Sequence, residues 1–282
     1  MRNDNDFFID NDEVEVLISR YRKMLNDNRL AYFDVDEFIG IISYFQNEGK
    51  INSAHRAVKI ALSQHPGAIE LKLKEAQVLF DNGRIMESLH ILKQLSKIEK
   101  NNPEIFQLKG IIYSVINKID LAIEQFDLCL QCAGDDISDF IYSTAIALET
   151  AGYYTHAVKY FEDALIHSPD NHLLYYDIAF CCEKTEDYKK SEHYFKLYLE
   201  EEPFSENAWY NLGVVYNAIE KYKEALDAYD FALAIDDEYT DAIFNKANTL
   251  ANIEQYSEAI QLYQECLSLE QETEELFYNR ML

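Results

Sequence analysis

From Glu206 onward, apolar and small residues fall in two clusters: Trp209, Leu212, Gly213 and Tyr216, then Ala225, Tyr229 and Ala232. Steps of three and four put each cluster on one side of a helix, so the stretch predicts two helices folded back on each other. The same slots recur 34 residues further on, as Ile243, Ala247, Leu250, Ala259, Tyr263 and Cys266. They recur toward the N-terminus as Tyr175, Ala179, Cys182, Ser191, Phe195 and Tyr198, then as Ile141, Ala145, Leu148, Ala157, Phe161 and Ala164, then as Phe106, Gly110, Tyr113, Ala122, Phe126 and Cys129. The register predicts seven helical hairpins at 35–68, 69–102, 103–137, 138–171, 172–205, 206–239 and 240–273, the third lengthened by one residue around Gly134 to Ile137. A period of this length marks an array in which each unit packs on its neighbours.

The residue types suit that packing. Small residues such as Ala145, Ala179 and Gly213 let the two helices of a hairpin approach closely, and Phe126, Phe161, Phe195, Tyr229 and Tyr263 fill the space beside them. Gly49, Gly83 and Gly152 share the slot where a first helix ends, as suits a left-handed cap, and Glu186, Glu220 and Glu254 take that slot later. Pro66, Pro169 and Pro203 share a slot at the end of the second helix, where proline stops propagation. The first two units are more degenerate, with Lys72 replacing an aromatic and Val58 and Leu92 in place of Phe, while Ala54, Ala61 and Ser88 keep the small slots. Residues 1–34 are an acidic segment followed by a helix from about Asn11 to Leu25 that caps the array. At the other end, Phe277 and Met281 in 274–282 begin the first helix of an eighth unit; an unpaired cap and the start of a longer protein both fit.

The order Trp, Leu-Gly, Tyr, then Ala, an aromatic, Ala and Pro, matched most fully at 206–239, resembles the tetratricopeptide repeat (TPR). The resemblance implies an all-α fold, a right-handed α-solenoid of antiparallel helix pairs. It also implies a non-enzymatic scaffold that holds an extended peptide or partner protein in a concave groove.

Successive residues of a helix are rotated by about 100°. Counting Glu206 as position one, the core stripe takes positions four, eight and eleven of each first helix, so positions two, five, six, nine and thirteen face the opposite side, which corresponds to the concave face of a TPR array. Position six holds Asp177, Asn211, Asn245 and Asn279, and Asn248 stands at position nine. An asparagine amide can pair with both the C=O and the N–H of a peptide backbone without reading its side chains. With helices about 8–10 Å apart and an extended chain rising about 3.3 Å per residue, one asparagine would meet roughly every third ligand residue. The column is similar to the asparagine ladder lining the TPR superhelices of O-GlcNAc transferases, though shorter. Read as groove residues, Asn211 and Asn245 should be replaceable by Ala with loss of partner capture and no change in thermal stability. Position five holds Tyr142, Tyr176, Tyr210, Phe244 and Tyr278. These rings can cradle ligand side chains or pack against the next repeat, because position five borders the seam between repeats. The pattern departs from the clamp of chaperone-binding TPR domains, with Tyr210 and Val214 where Lys and Asn would stand.

Charge narrows the partner. With 51 acidic and 25 basic residues the net charge is −26, which repels phosphate backbones and anionic membrane surfaces. A protein or peptide that is neutral or basic is expected, neither nucleic acid nor membrane, together with self-association through the exposed C-terminal repeat. No apolar run approaches the roughly 18–20 residues of a membrane-spanning helix, and the N-terminus shows no export signal, so a cytoplasmic protein is expected. The five cysteines, Cys129, Cys132, Cys181, Cys182 and Cys266, lie inside helical patterns and read as reduced thiols; Cys129 fills a small core slot, which argues against metal or redox work by its Cys-x-x-Cys. No phosphate-binding glycine loop, nucleophile elbow or His-Glu-x-x-His is present, so neither catalysis nor a cofactor is expected. Two functional classes stay open: a free-standing scaffold, and the non-catalytic targeting or regulatory region of a larger enzyme or sensor extending beyond residue 282.

Overall fold

A computed structural model describes the backbone of residues 11–27 and 31–280 and the side chains of residues 14–27 and 31–269. Among these residues there are fifteen α-helices and no strand. A first helix, α1 (Asn11–Asp27), precedes α2 (Val35–Asn47) and α3 (Ile51–Gln64), α4 (Ile69–Asp81) and α5 (Ile85–Ile98), and α6 (Pro103–Val115) and α7 (Ile119–Cys132). Then follow α8 (Ile137–Thr150) and α9 (Tyr154–His167), α10 (Leu173–Lys184) and α11 (Tyr188–Glu201), α12 (Glu206–Ala218) and α13 (Tyr222–Ile235), and α14 (Thr240–Asn252) and α15 (Tyr256–Arg280). The chain forms two compact units, Met1–Thr144 and Ala145–Leu282, divided within α8.

One backbone device makes every hairpin. Gly49, Gly83, Asn117, Gly152, Glu186, Glu220 and Glu254 all have φ between 58° and 81°, one per hairpin and 34 or 35 residues apart. The next amide then bonds back across the end of the helix, as Lys50 N–H does to the Phe45 carbonyl (2.8 Å) and Lys221 N–H to that of Tyr216 (2.9 Å). This is the Schellman closure, which satisfies carbonyls a helix end would orphan and turns the chain at once into the second helix. The extra residue of the third hairpin is taken up by a 3₁₀ turn at Gly134–Asp136. Three second helices end two residues before a proline: α3 at Gln64, α9 at His167 and α11 at Glu201.

Packing follows the small and large slots. A Cβ added to Gly213 would lie 2.5 Å from Cε1 of Tyr229, and one added to Gly110 would lie 2.5 Å from Cε1 of Phe126. In the first hairpin the sizes reverse: Ile42 fills the small slot, Val58 takes the ring's place, and both are fully buried. The degenerate sequence there keeps roughly the same volume with the partners exchanged, which a close-packed interior tolerates. Two small slots hold serine, and each buried hydroxyl donates across the hairpin, Ser88 to the Ala76 carbonyl (2.6 Å) and Ser191 to that of Ala179 (2.8 Å). In the first unit Leu17, Ile18, Tyr21 and Met24 of α1 join one core with Phe33, Phe38 and Phe45, and burial raises the Tyr21 hydroxyl to about 12.

The last helix differs from expectation. The repeat period predicts a separate helix from residue 274, yet α15 runs for 25 residues without a turn. The reason lies in its composition: Gln271 stands where Pro169 and Pro203 end earlier second helices, and no Gly or Pro occurs after Tyr256. Phe277, Tyr278 and Asn279 lie on this helix with side chains outside the described residues, and Met281 lies outside the described residues altogether.

A left-handed backbone costs an L-residue roughly 1–2 kcal/mol. Glu220→Gly is therefore expected to raise the urea midpoint by the equivalent of about 1 kcal/mol, and Gly152→Ala to lower it by about as much, with helix content followed by circular dichroism.

Candidate partner-binding face

Within the second unit, the predicted columns lie on the neighbouring helices α10, α12 and α14 and are joined by hydrogen bonds. Nδ2 of Asn211 donates to the hydroxyl of Tyr176 at 2.9 Å, and Nδ2 of Asn245 donates to the hydroxyl of Tyr210 at 2.8 Å. Each bond spans 35 residues because position five of one repeat meets position six of the next. Asn248 accepts from the hydroxyl of Tyr263 at 2.7 Å and leans toward Asn245, Nδ2 to Oδ1 at 3.4 Å. Asn207 accepts from the hydroxyl of Tyr239 at 3.0 Å, a bond from α12 to the turn that leads into α14.

The rings are seated from behind. Tyr176 meets Phe195 and Tyr198 edge-on, with centroids 5.7 and 5.3 Å away; Tyr210 lies 6.2 Å from Tyr229 and 5.1 Å from Tyr239. Phe244 meets Tyr263 at 5.7 Å and leaves 48% of its surface exposed. Asn211, Asn245, Asn248, Asp177, Tyr176 and Tyr210 are half-buried. Tyr142 is half-buried in the first unit. Tyr278 and Asn279 lie outside the residues whose side chains are described.

These bonds run against the expectation that Asn211 and Asn245 can be replaced by Ala with no change in thermal stability. One N–H of each is already held by a tyrosine. For Asn211 that leaves the second N–H and Oδ1, while the tyrosine hydroxyl, which accepts from the amide, still has its own proton to donate. The rung is thus a tyrosine–asparagine pair. Its signal is in the sequence: a position-five tyrosine precedes a position-six asparagine by one repeat in Tyr176 and Asn211 and in Tyr210 and Asn245, whereas Phe244 offers no hydroxyl to Asn279.

The second unit is the more acidic of the two. Residues 145–282 carry 28 Asp and Glu against 9 Lys and Arg, while residues 1–144 carry 23 against 16. Burial raises the Tyr176 hydroxyl, and Asp177 and Glu149 push it the same way against the Asn211 bond. Burial likewise raises Tyr210, helped by Asp241. Both hydroxyls are therefore protonated donors at neutral pH.

The other chemistry is sparse. All five cysteines are free thiols; Cys129, Cys181, Cys182 and Cys266 are buried and Cys132 partly so. Burial raises Cys129 to about 12 and Cys182 to about 11. Among the described residues no group of three His, Cys, Asp or Glu side chains is placed to hold a metal ion, and no helix is long and apolar enough to cross a membrane.

The helical hairpins have counterparts in known proteins. The tetratricopeptide repeat family matches residues 47–112, 206–239 and 240–273. The chain contains tetratricopeptide repeats over these residues. Over 131 residues, 46% of the chain, it is 26% identical to Protein CTR9 homolog of Arabidopsis thaliana, spanning 12% of that protein's length. Two solved structures share the fold: a tetratricopeptide repeat protein from Parabacteroides merdae (TM-score 0.56, 15% identity, 83% of this chain and 92% of that one) and MamA (TM-score 0.52, 15% identity, 59% and 96%).

Because each rung carries a hydrogen bond worth about 1 kcal/mol, Tyr176→Phe and Tyr210→Phe are each expected to lose about that much stability in chemical unfolding, and Asn211→Ala and Asn245→Ala a similar amount. With Cys129 and Cys182 held protonated in the fold while unfolded thiols ionise near pH 8.5, stability present below that pH should fall as pH rises toward 11 or 12, by an amount a Cys129→Ala/Cys182→Ala variant reduces. Alkylation at pH 8 should mark Cys132 first in the native protein and the buried thiols only on unfolding.

Proposed function

We propose that the chain is a non-enzymatic protein-interaction scaffold, and that α10, α12 and α14 hold an extended, neutral or basic polypeptide along the tyrosine–asparagine rungs. The repeats divide as 35–68 through 240–273, and the rungs stand on the fifth, sixth and seventh. The observation that carries this reading is the pair of bonds from Asn211 to Tyr176 and from Asn245 to Tyr210. They fix two amides and two hydroxyls in register on neighbouring helices, so the entropy of ordering them is met on folding rather than on binding. Asp177 and Asp241 beside them favour a ligand of opposite charge. Phe244, half-exposed, adds an apolar contact for a ligand side chain.

The five free thiols support a reducing, cytoplasmic setting. The short span matched in a much longer relative supports a second reading, in which the same face serves as the targeting or regulatory region of a larger enzyme or sensor.

The test is selection from a displayed library of linear peptides on the immobilised chain. Peptides of net positive charge should be enriched, and Asn211→Ala/Asn245→Ala should bind them at least about tenfold more weakly at a temperature where circular dichroism shows both proteins folded. Equal binding by the two proteins, or enrichment of acidic peptides, would refute the assignment.

A further inference from the structure

The second unit has a further concavity, independent of the rungs. It is a cleft of about 440 Å³ among α11, α12 and α13. Its floor is apolar: Leu199, Leu212, Tyr216 and Ala228 are buried. One wall is the indole of Trp209, stacked on the ring of Phe231 with centroids 4.5 Å apart and planes 25° apart. The indole Nε1–H donates to the Pro203 carbonyl at 2.9 Å, which holds the ring in place, and Phe231 remains 53% exposed.

The rim is charged and predominantly acidic. Glu200, Glu224 and Asp227 are exposed at the cleft, and none forms an ion pair among the described residues. Lys196 is the cation at the site, and its ammonium is bonded to Glu192 at 2.6 Å. Glu192 also takes Lys221 at 2.9 Å, and both lysines lie over the Tyr216 ring at 5.7 and 5.5 Å. Two cations on one carboxylate leave one positive charge against three carboxylates without an ion pair, in a unit whose net charge is strongly negative. A second copy of this acidic unit would meet repulsion here. A cationic side chain finds its complement: a stacked aromatic pair for its apolar stem or guanidinium face, and carboxylates for its charge.

We propose that this cleft is a second docking surface, which receives an arginine or lysine side chain of a partner polypeptide, stacked on Trp209 and Phe231 and paired with Glu200, Glu224 and Asp227. It lies on the core-stripe side of α12 and on the second helices, and uses neither Asn211 nor Asn245.

Trp209 is the chain's single tryptophan, so its emission reports this cleft and no other place. The full chain is titrated with a capped synthetic peptide of alternating arginine and alanine, and with the same peptide carrying glutamate for arginine. The arginine peptide is expected to change Trp209 emission saturably and the glutamate peptide to leave it unchanged. Glu224→Gln/Asp227→Asn should weaken binding by about tenfold, whereas Asp237→Asn/Glu265→Gln, exposed carboxylates elsewhere on the unit, should change it by less than about twofold. The Asn211→Ala/Asn245→Ala variant should bind as the wild type does. The proposal is overturned by emission unchanged at saturating peptide, by equal weakening in the two charge-neutralised variants, or by loss of the signal in the asparagine variant.

Discussion

In every hairpin but the first, a large side chain stands on the second helix where the first helix carries only glycine or alanine. Tyr229 on Gly213 and Phe126 on Gly110 are the tightest cases, where one added carbon would overlap the ring. Burying a ring of this size contributes about 2–3 kcal/mol, more than any polar contact on the surface, so this pairing sets the rotation of each first helix about its axis. The left-handed residue that closes each hairpin fixes the approach of the two helices, and it recurs at one slot from Gly49 to Glu254. Where the sequence departs from the usual residue types the constraint still holds, as Ile42 and Val58 show by exchanging sizes.

Once the rotation is fixed, positions five and six have no freedom to face elsewhere. On α10, α12 and α14 they meet across the seam between repeats as tyrosine and asparagine. Each bond is worth about 1 kcal/mol, small beside the core, so the rungs orient groups rather than hold the array together. The same scale applies to charge. Screening reaches about 8–10 Å in ordinary salt, so of the acidic residues of the second unit only those close to the rungs, such as Asp177 and Asp241, bear on a ligand there. Carboxylates at Glu200, Glu224 and Asp227 act on the cleft beside Trp209 instead.

The hairpins were legible in the sequence because small and large residues recur at a fixed spacing and the slot of Gly49, Gly83 and Gly152 marks each turn. The faces of the first helices were legible too, since a core stripe fixes its opposite side by rotation alone. The bonds between columns were not deduced, because a one-helix projection shows which side Tyr176 and Asn211 share but not that consecutive repeats bring one within 2.9 Å of the other. The continuous α15 was hidden by the assumption that the period persists, although the absence of Gly and Pro after Tyr256 was plain. Spacing marks Trp209 as a motif residue only; its stacking on Phe231 depends on packing between α12 and α13 that spacing does not specify.

The central claim, that the tyrosine–asparagine face receives an extended chain, is tested most directly by nuclear magnetic resonance on the isotopically labelled protein. The side-chain amide signals of Asn211 and Asn245 are assigned by substitution and followed while a basic peptide taken from the library selection is added. The account predicts that both signals move together and saturate at the affinity of binding. Saturating peptide with both signals unmoved, while signals elsewhere in the chain shift, would contradict it.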